Sequence, residues 1–401
     1  MSKPLVLENV RLVDVAADVP AVLTEQTVIC EDGRIAWRGP AGRAPIPADA
    51  EKIDCTGLTM IPGLIEGHSH IGGTNAYNVL RKSLQRGITT CCSVSANLYG
   101  IDLRNAIEKG LVRGCASLVA GCIVCPTHGH VEFRTADGPW EVRKAVREMV
   151  KAGADFIKTA ASGGFWAADE VCSVRNYTLE ELVALADEAH AWHIPCVVHA
   201  HTQPGINNSI EAGVDQIHHG AFIDEEGVRG ILAKNLWYMP TLRVTSDRNI
   251  IAWPDRPWMA KEMKESQPIH RAGLKLAIKL GVKICVGTDY PGSAVGWINP
   301  PNRLGDSHLF ELQEMAKCGM TPLQLIRAAT RTNAEAYRIY DRVGSIDAGK
   351  MADLVLTKVD PTADIANLYD HRNITLVVKA GKVQYAADEF TKFYRISDFD
   401  Y

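Results

Sequence analysis

"GLIEGHSHIGG", residues 63–73, carries two histidines one residue apart where an apolar, strand-like run gives out into glycines. With 13 histidines in 401 residues, random placement gives about 0.4 His-x-His pairs. The chain has three, His68/His70, His128/His130 and His199/His201, and also the adjacent His218 and His219. Each sits at the end of an apolar run. The fold in question is therefore one that brings the ends of several strands to one place.

Working outward, short β-branched runs alternate with helical segments. The strand candidates are "MIPGLIEGH" (60–68), "ITTCCSV" (88–94), "SLVAGCIV" (117–124), "ADFIKTA" (154–160), "PCVVHAH" (195–201), "VDQIHHG" (214–220), "LWYMPTL" (236–242) and "KICVGTD" (283–289). Between them lie amphipathic stretches such as "PWEVRKAVREMVKAG" and "TLEELVALADEAHAW", with apolar residues at helical spacing. Eight strands, each followed by a helix, predict an α/β fold of the (β/α)8 TIM-barrel type, and about 290 residues suit its size. A doubly wound open sheet is the alternative, but no G-x-G-x-x-G follows the first strand. The ends of the chain, "LVLENVRLVDV" and "ITLVVKAGKVQYA" among them, are strand-and-turn sequences without helical period. This predicts a barrel over 58–345 and a small β-sandwich domain assembled from 1–57 and 346–401. The aromatic tail "FTKFYRISDFDY" reads as an arm packing on a neighbouring subunit of a homo-oligomer.

Composition narrows the class. A net charge of −4 and no Lys/Arg run leave no basic face for nucleic acid. No stretch approaches the roughly 18 apolar residues of a membrane span, and the first residues lack the pattern of a secretory leader. Eleven cysteines scattered through apolar runs read as reduced, buried thiols of a cytoplasmic protein. Cys122 and Cys125 form a C-x-x-C, but in a strand-to-loop context that does not suit redox chemistry.

Barrel active sites form at the C-terminal ends of the strands, where the polar residues collect here. These are His68 and His70 on the first strand, Lys158 on the fourth, His199 and His201 on the fifth, the His218–His219 pair on the sixth and Asp289 on the eighth. Residues two apart on a strand share a face, so both members of an H-x-H pair can face the mouth. Of the neighbours His218 and His219, alternation allows only one. Imidazole and carboxylate together make a site for zinc or a similar divalent ion. Lys158 fits such a site only as a carbamate formed with CO2, an anionic oxygen ligand, which requires a lowered amine pKa.

The ordered set "PGLIEGHSH", "GADFIKTAASGG", "VVHAHT", "DQIHHG" and "VGTD" resembles the amidohydrolase superfamily, in its imidazolonepropionase-related branch with prolidase-like metal-dependent dipeptidases. The closing "GMTPLQLIRAATRTNAEAYRIYDRVGSIDAGKMADLVL" resembles that branch too, so the likeness spans nearly the whole chain. It implies two divalent metals, zinc foremost with manganese, iron or cobalt as alternatives. His68, His70 and Asp289 would hold one, His199 and His219 the other, and carboxylated Lys158 would bridge them, leaving His201 to face the substrate. Three departures stand out: Glu66 where aspartate is usual, "HAHT" for "HAHG", and His218 where glutamate is common.

With two cations a bridging water loses its proton near neutral pH and becomes the nucleophile. Asp289 then serves as general base and acid. The function expected is hydrolysis of a C–N bond in a small molecule, an amide, carbamate or urea with an aromatic or apolar group. The alternative is a prolidase-like dipeptidase or carboxypeptidase acting on free-carboxylate dipeptides or N-acyl amino acids. His128 matches a pocket histidine of the relatives, and His201 and Tyr238 are further substrate-binding candidates. The aromatic loop residues Phe165, Trp166, Trp253, Trp258 and Trp297 suit an apolar pocket, whereas Arg175 or Arg243 would seat a carboxylate. A catalytically silent homologue is disfavoured because every ligand position is filled. A one-metal deaminase is disfavoured by Lys158.

Overall fold

Gly63 divides the stretch that reads as one strand over 60–68. Thr59–Pro62 pairs parallel with Leu5–Asp14 and antiparallel with Leu354–Thr357, whereas Leu64–Ser69 pairs parallel with Ile88–Ser93. A β-carbon on Gly63 would lie 2.1 Å from Thr89 Oγ1, so only glycine lets the chain pass that close as it changes sheets. In this computed structural model the described residues are 3–394, apart from 74–75, 96, 132 and 291–303.

Beyond Gly63 the chain alternates parallel strands with helices. Leu64–Ser69, Ile88–Ser93 and Ala116–Val119 form one parallel sheet. Ile157–Ala160, Cys196–Ala200, Gln216–His219, Trp237–Met239 and Lys283–Ile284 follow one another through a second. Hydrogen bonds join the two sheets at both edges: Asp155 N to Val119 O at 2.9 Å on one side, Gly67 N to Val286 O at 3.0 Å and His70 N to Tyr290 O at 2.8 Å on the other. The run read over 117–124 splits, because Gly121 turns the chain at φ 74 and Val124–Cys125 forms a separate short strand.

The helices form where the spacing places them. Gly138–Ala152 buries Val142, Ala145, Val146 and Met149 on one face and ends at Gly153 in the left-handed conformation. Leu179–Ala191 opens on a capping box between Thr178 and Glu181 and buries Leu182, Leu185, Ala186 and Ala189. Burying one such large side chain contributes about 1.5–3 kcal/mol, more than the cap, so packing holds these helices in place.

Strands from both chain ends build an eight-stranded sheet, running 382–386, 374–379, 354–357, 59–62, 5–14, 21–31 and 34–40, with 51–54 also paired to 5–14. Period-2 alternation decides its faces. Leu354, Leu356, Leu376 and Val378 pack with Leu5, Leu7 and Leu12 on one side. Val355 and Val377 join Val13, Ile61 and the core around the parallel strands on the other. Phe390, Phe393 and Tyr394 pack on this sheet, so the described part of the aromatic tail covers its own chain; 395–401 lie outside the described residues. The cysteines are free thiols, buried except for the half-buried Cys122. Among the described residues no helix is long and apolar enough to cross a membrane.

Candidate metal centre and active site

A cavity of about 420 Å³ opens at the C-terminal ends of the parallel strands, and its floor carries His68, His70, Lys158, His199, His219 and Asp289. Strand alternation delivers His68 with His70, and His199 with His201, which also lines the cavity. At or beyond the ends of three strands the backbone uses a rarer device. His219, Thr241 and Asp289 adopt φ of 72°, 51° and 52°, left-handed values that cost non-glycine residues of order 1 kcal/mol or more. The expected alternation holds on this strand: His219 lines the cavity and His218 does not. Both His218 and His219 bring their rings to 4.8 Å from that of His68.

Two groups of donor atoms converge. His68, His70 and Asp289 offer ligand atoms within 4.8 Å of one another, and so do His199, His201 and His219. His70 Nε2 lies 2.8 Å and His68 Nε2 3.2 Å from Asp289 Oδ1. The opposite ring nitrogens are tethered, His68 Nδ1 to His218 Nδ1 at 2.7 Å, His70 Nδ1 to Ser95 Oγ at 2.5 Å and His219 Nδ1 to Thr241 Oγ1 at 2.8 Å. Each tether turns Nε2 away from it, for His68 and His70 toward Asp289, the usual arrangement around a ligating imidazole. His218 passes the chain of bonds on to Gln216 Oε1 at 3.1 Å, and Gln216 donates to Ala336 O at 2.8 Å. Beneath, Glu66 accepts from the amides of His68 and Thr288 at 2.8 and 2.9 Å and meets His308 Nδ1 at 2.9 Å. That one buried carboxylate fixes the first and eighth strand ends together.

The electrostatics suit cations. Burial, reinforced by the Lys158 charge, pulls His68 down to about 3. Burial holds His199 and His219 well below the usual imidazole range. All three are neutral donors at neutral pH. Burial works against ionisation of Asp289, but the interactions and hydrogen bonds with His68 and His70 outweigh it and keep the carboxyl well below its ordinary range. Lys158 is 2% exposed, its Nζ has no hydrogen-bond partner among the described residues, and burial pulls it down to about 7. Neutral imidazoles, an ionised carboxylate and an orphaned buried amine make a donor set that fits divalent ions and a carbamate.

The wall of the cavity is apolar and aromatic, with Phe165, Trp166, Trp253, Met259 and Met263. Phe165 stacks on His201 at 4.4 Å, Trp166 meets Trp253 edge-on at 6.4 Å, and the Arg256 guanidinium lies 4.2 Å above Trp166. Arg243 also lines the cavity. Other candidates fall elsewhere. His128 is exposed at φ 60° in a turn closed by Gly129 N to Pro126 O; the histidine of that pair which lines the cavity is His130, stacked 4.0 Å over His199. Tyr238 is fully buried and donates its hydroxyl to His219 O at 3.0 Å, so it holds a strand end and does not line the cavity. Arg175 is exposed outside it, Trp258 packs behind the wall, and Trp297 lies outside the described residues.

Sequence reading also missed Glu170. It pairs with His130 Nδ1 and accepts the amides of Gly164, Trp166 and Ala167, tying the aromatic turn to the imidazole. His130 and the amides hold its carboxyl down to about 2 against the effect of burial. Forty residues separate the partners, and no local pattern announces such a pair.

The model of the Amidohydrolase family matches residues 59–384. The ochratoxinase of Aspergillus niger is 27% identical over 378 residues, 81% of this chain and 75% of that protein. A solved Xaa-Pro dipeptidase with methionine bound in its active site superposes with a TM-score of 0.85 at 26% identity, covering 96% of this chain and 100% of its own. Phenylurea hydrolase B superposes with a TM-score of 0.80 at 25% identity, covering 95% and 96% respectively.

Proposed function

The chain belongs to the amidohydrolase family and is a hydrolase of carbon–nitrogen bonds; from that premise we propose a metal-dependent cleavage of an amide, carbamate or urea carrying an aromatic or bulky apolar group. The observation that carries this reading is Lys158, a buried amine without a hydrogen-bond partner among the described residues, set on the cavity floor between imidazoles and a carboxylate. A bare ammonium there pays desolvation with no return. As a carbamate it becomes an anionic ligand between two cation sites. His68, His70 and Asp289 would hold one divalent ion and His199 and His219 the other, with zinc the first choice. Bound there, the two ions supply a nucleophilic water at neutral pH and polarise the scissile carbonyl.

Asp289 takes the proton from the attacking water and returns it to the leaving nitrogen. His130, anchored by Glu170, stands over His199 to meet the polar end of the substrate. His201 faces the same space with Phe165 stacked on it. The wall of Phe165, Trp166 and Trp253 receives the apolar group. The eight parallel strands are read as a closed (β/α)8 barrel over 58–345, with the sheet from 1–57 and 346–401 as its β-sandwich companion, in a cytoplasmic homo-oligomer. The second reading, a prolidase-like dipeptidase, gains from Arg243 standing in the cavity.

The test is a hydrolysis screen of protein loaded with zinc and bicarbonate against aryl amides, carbamates, ureas, N-acyl amino acids and dipeptides. Turnover of C–N substrates that a chelator abolishes is the expected result. A fully metal-loaded protein that cleaves none of them overturns the proposal.

A further inference from the structure

Behind the cavity floor, the direction of one hydrogen bond decides which nitrogen of His68 is open to an ion. Gln216 and His218, two apart on the strand Gln216–His219, share a face of that strand. With His68 they form a buried line: Gln216 and His218 are 0% exposed and His68 1%. The line ends on a group that can only accept. Gln216 Nε2 donates to the main-chain oxygen of Ala336 at 2.8 Å, and turning the amide over would set its oxygen against that carbonyl. Gln216 Oε1 therefore faces His218 Nε2, at 3.1 Å. An amide oxygen accepts, so His218 Nε2 carries a proton. Burial keeps the His218 ring neutral, and a neutral imidazole has a single N–H. His218 Nδ1 is then bare, and the proton in the 2.7 Å contact between the two Nδ1 atoms belongs to His68.

We infer that Gln216 and His218 are positioning residues that fix this proton on His68 Nδ1 before any ion arrives, and so keep His68 Nε2 as the nitrogen that meets a divalent cation. The inference rests on the metal-centre reading above and goes beyond its set of ligands. The far side of the ring supports it. His68 Nε2 lies 3.2 Å from Asp289 Oδ1, so a lone pair and a carboxylate oxygen face each other, and a cation between them makes that approach favourable. The other tautomer of His218 would instead leave its Nε2 and Gln216 Oε1 as two buried acceptors in contact, a costly arrangement. The anchor is built into the same core. Ala336 ends the short helix Asn333–Ala336, in which Asn333 Nδ2 donates to Ile65 O and Val286 O, each at 2.7 Å. Tyr337, the next residue, donates its hydroxyl to Gly67 O at 2.5 Å. The segment that clamps the strand of His68 to the chain leading to Asp289 thus also sets the amide of Gln216.

Two measurements test the inference. Neutron diffraction from metal-free crystals exchanged into D2O should show deuterium on His68 Nδ1 and on His218 Nε2, and none on His218 Nδ1. Zinc affinities, read at one pH by competition with a chromophoric chelator, should show two tight sites in wild type. Gln216→Leu leaves the Nε2–H of His218 without an acceptor and favours the other tautomer, so one zinc should bind about 10- to 100-fold more weakly with the second unchanged. In Gln216→Glu a buried carboxylic acid accepts from His218 and donates to Ala336 O as the amide does, and both affinities should stay within about three-fold of wild type. Deuterium on His218 Nδ1 overturns the inference. So do two zincs held by Gln216→Leu as tightly as by wild type, and a Gln216→Glu protein as weakened as Gln216→Leu, since either result reduces Gln216 to packing. If Gln216→Leu does not fold, the neutron map and Gln216→Glu decide. Wild type that binds no zinc overturns the metal-centre reading itself, a result distinct from the other three.

Discussion

The floor and the wall of the cavity are built differently. Floor side chains come from strand ends, and three of the imidazoles are held twice, by backbone register and by a tether on the far ring nitrogen, His68 by His218, His70 by Ser95 and His219 by Thr241. The wall comes from strand-to-helix loops; ring contacts, the Arg256 guanidinium over Trp166 and Trp253, and the Glu170 carboxylate under the aromatic turn hold it. A doubly tethered floor has one geometry, suited to ions and a reacting bond. A wall of stacked rings can exchange members and keep its shape. Floor substitutions should destroy turnover, and wall substitutions should change what is turned over.

The largest effect belongs to Asp289. Asp289→Ala is expected to lower kcat by at least about 10⁴-fold while metal analysis still finds ion bound through the histidines; a variant within ten-fold of wild type would break the contrast. Lys158→Ala comes next, with a loss of about 10³-fold and about one metal fewer per chain. The same residue predicts a pH dependence of assembly. Burial lowers its amine to about 7, below that pH it is protonated, and only the neutral amine attacks CO2. Metal-free protein given zinc and bicarbonate should therefore regain activity at pH 8 and little at pH 6, measured after return to a common assay pH. Equal recovery at both would remove the carbamate from the account.

On the wall, Trp166→Ala should raise KM for a naphthyl substrate about ten-fold and leave kcat within about two-fold. A collapse of kcat would mean that the wall shares the floor's role. The smallest effect lies off the cavity. Thr178→Ala removes the capping box of Leu179–Ala191 and should cost about 1 kcal/mol of stability by denaturant unfolding with activity unchanged. It separates loss of stability from loss of chemistry.

The sequence made the floor legible because its logic is local. An H-x-H at the end of an apolar run fixes two side chains on one face, and His68, His70, His199 and His201 all reach the cavity. It failed where backbone leaves the regular strand. The turn at His128 exchanges that residue for His130, which lines the cavity in its place. Gly63 hid a change of sheet inside one apolar run because both halves are buried. Partners such as Glu66 with His308 or Glu170 with His130 join distant segments, and a single sequence holds no signal for them.

The most direct test of the two-cation floor is diffraction at the zinc absorption edge from protein loaded with zinc and bicarbonate. The account predicts two anomalous peaks, one among His68, His70 and Asp289 and one between His199 and His219, with Lys158 carrying added density for a carbamate that reaches both. A single peak, or two with an unmodified Lys158, would contradict it.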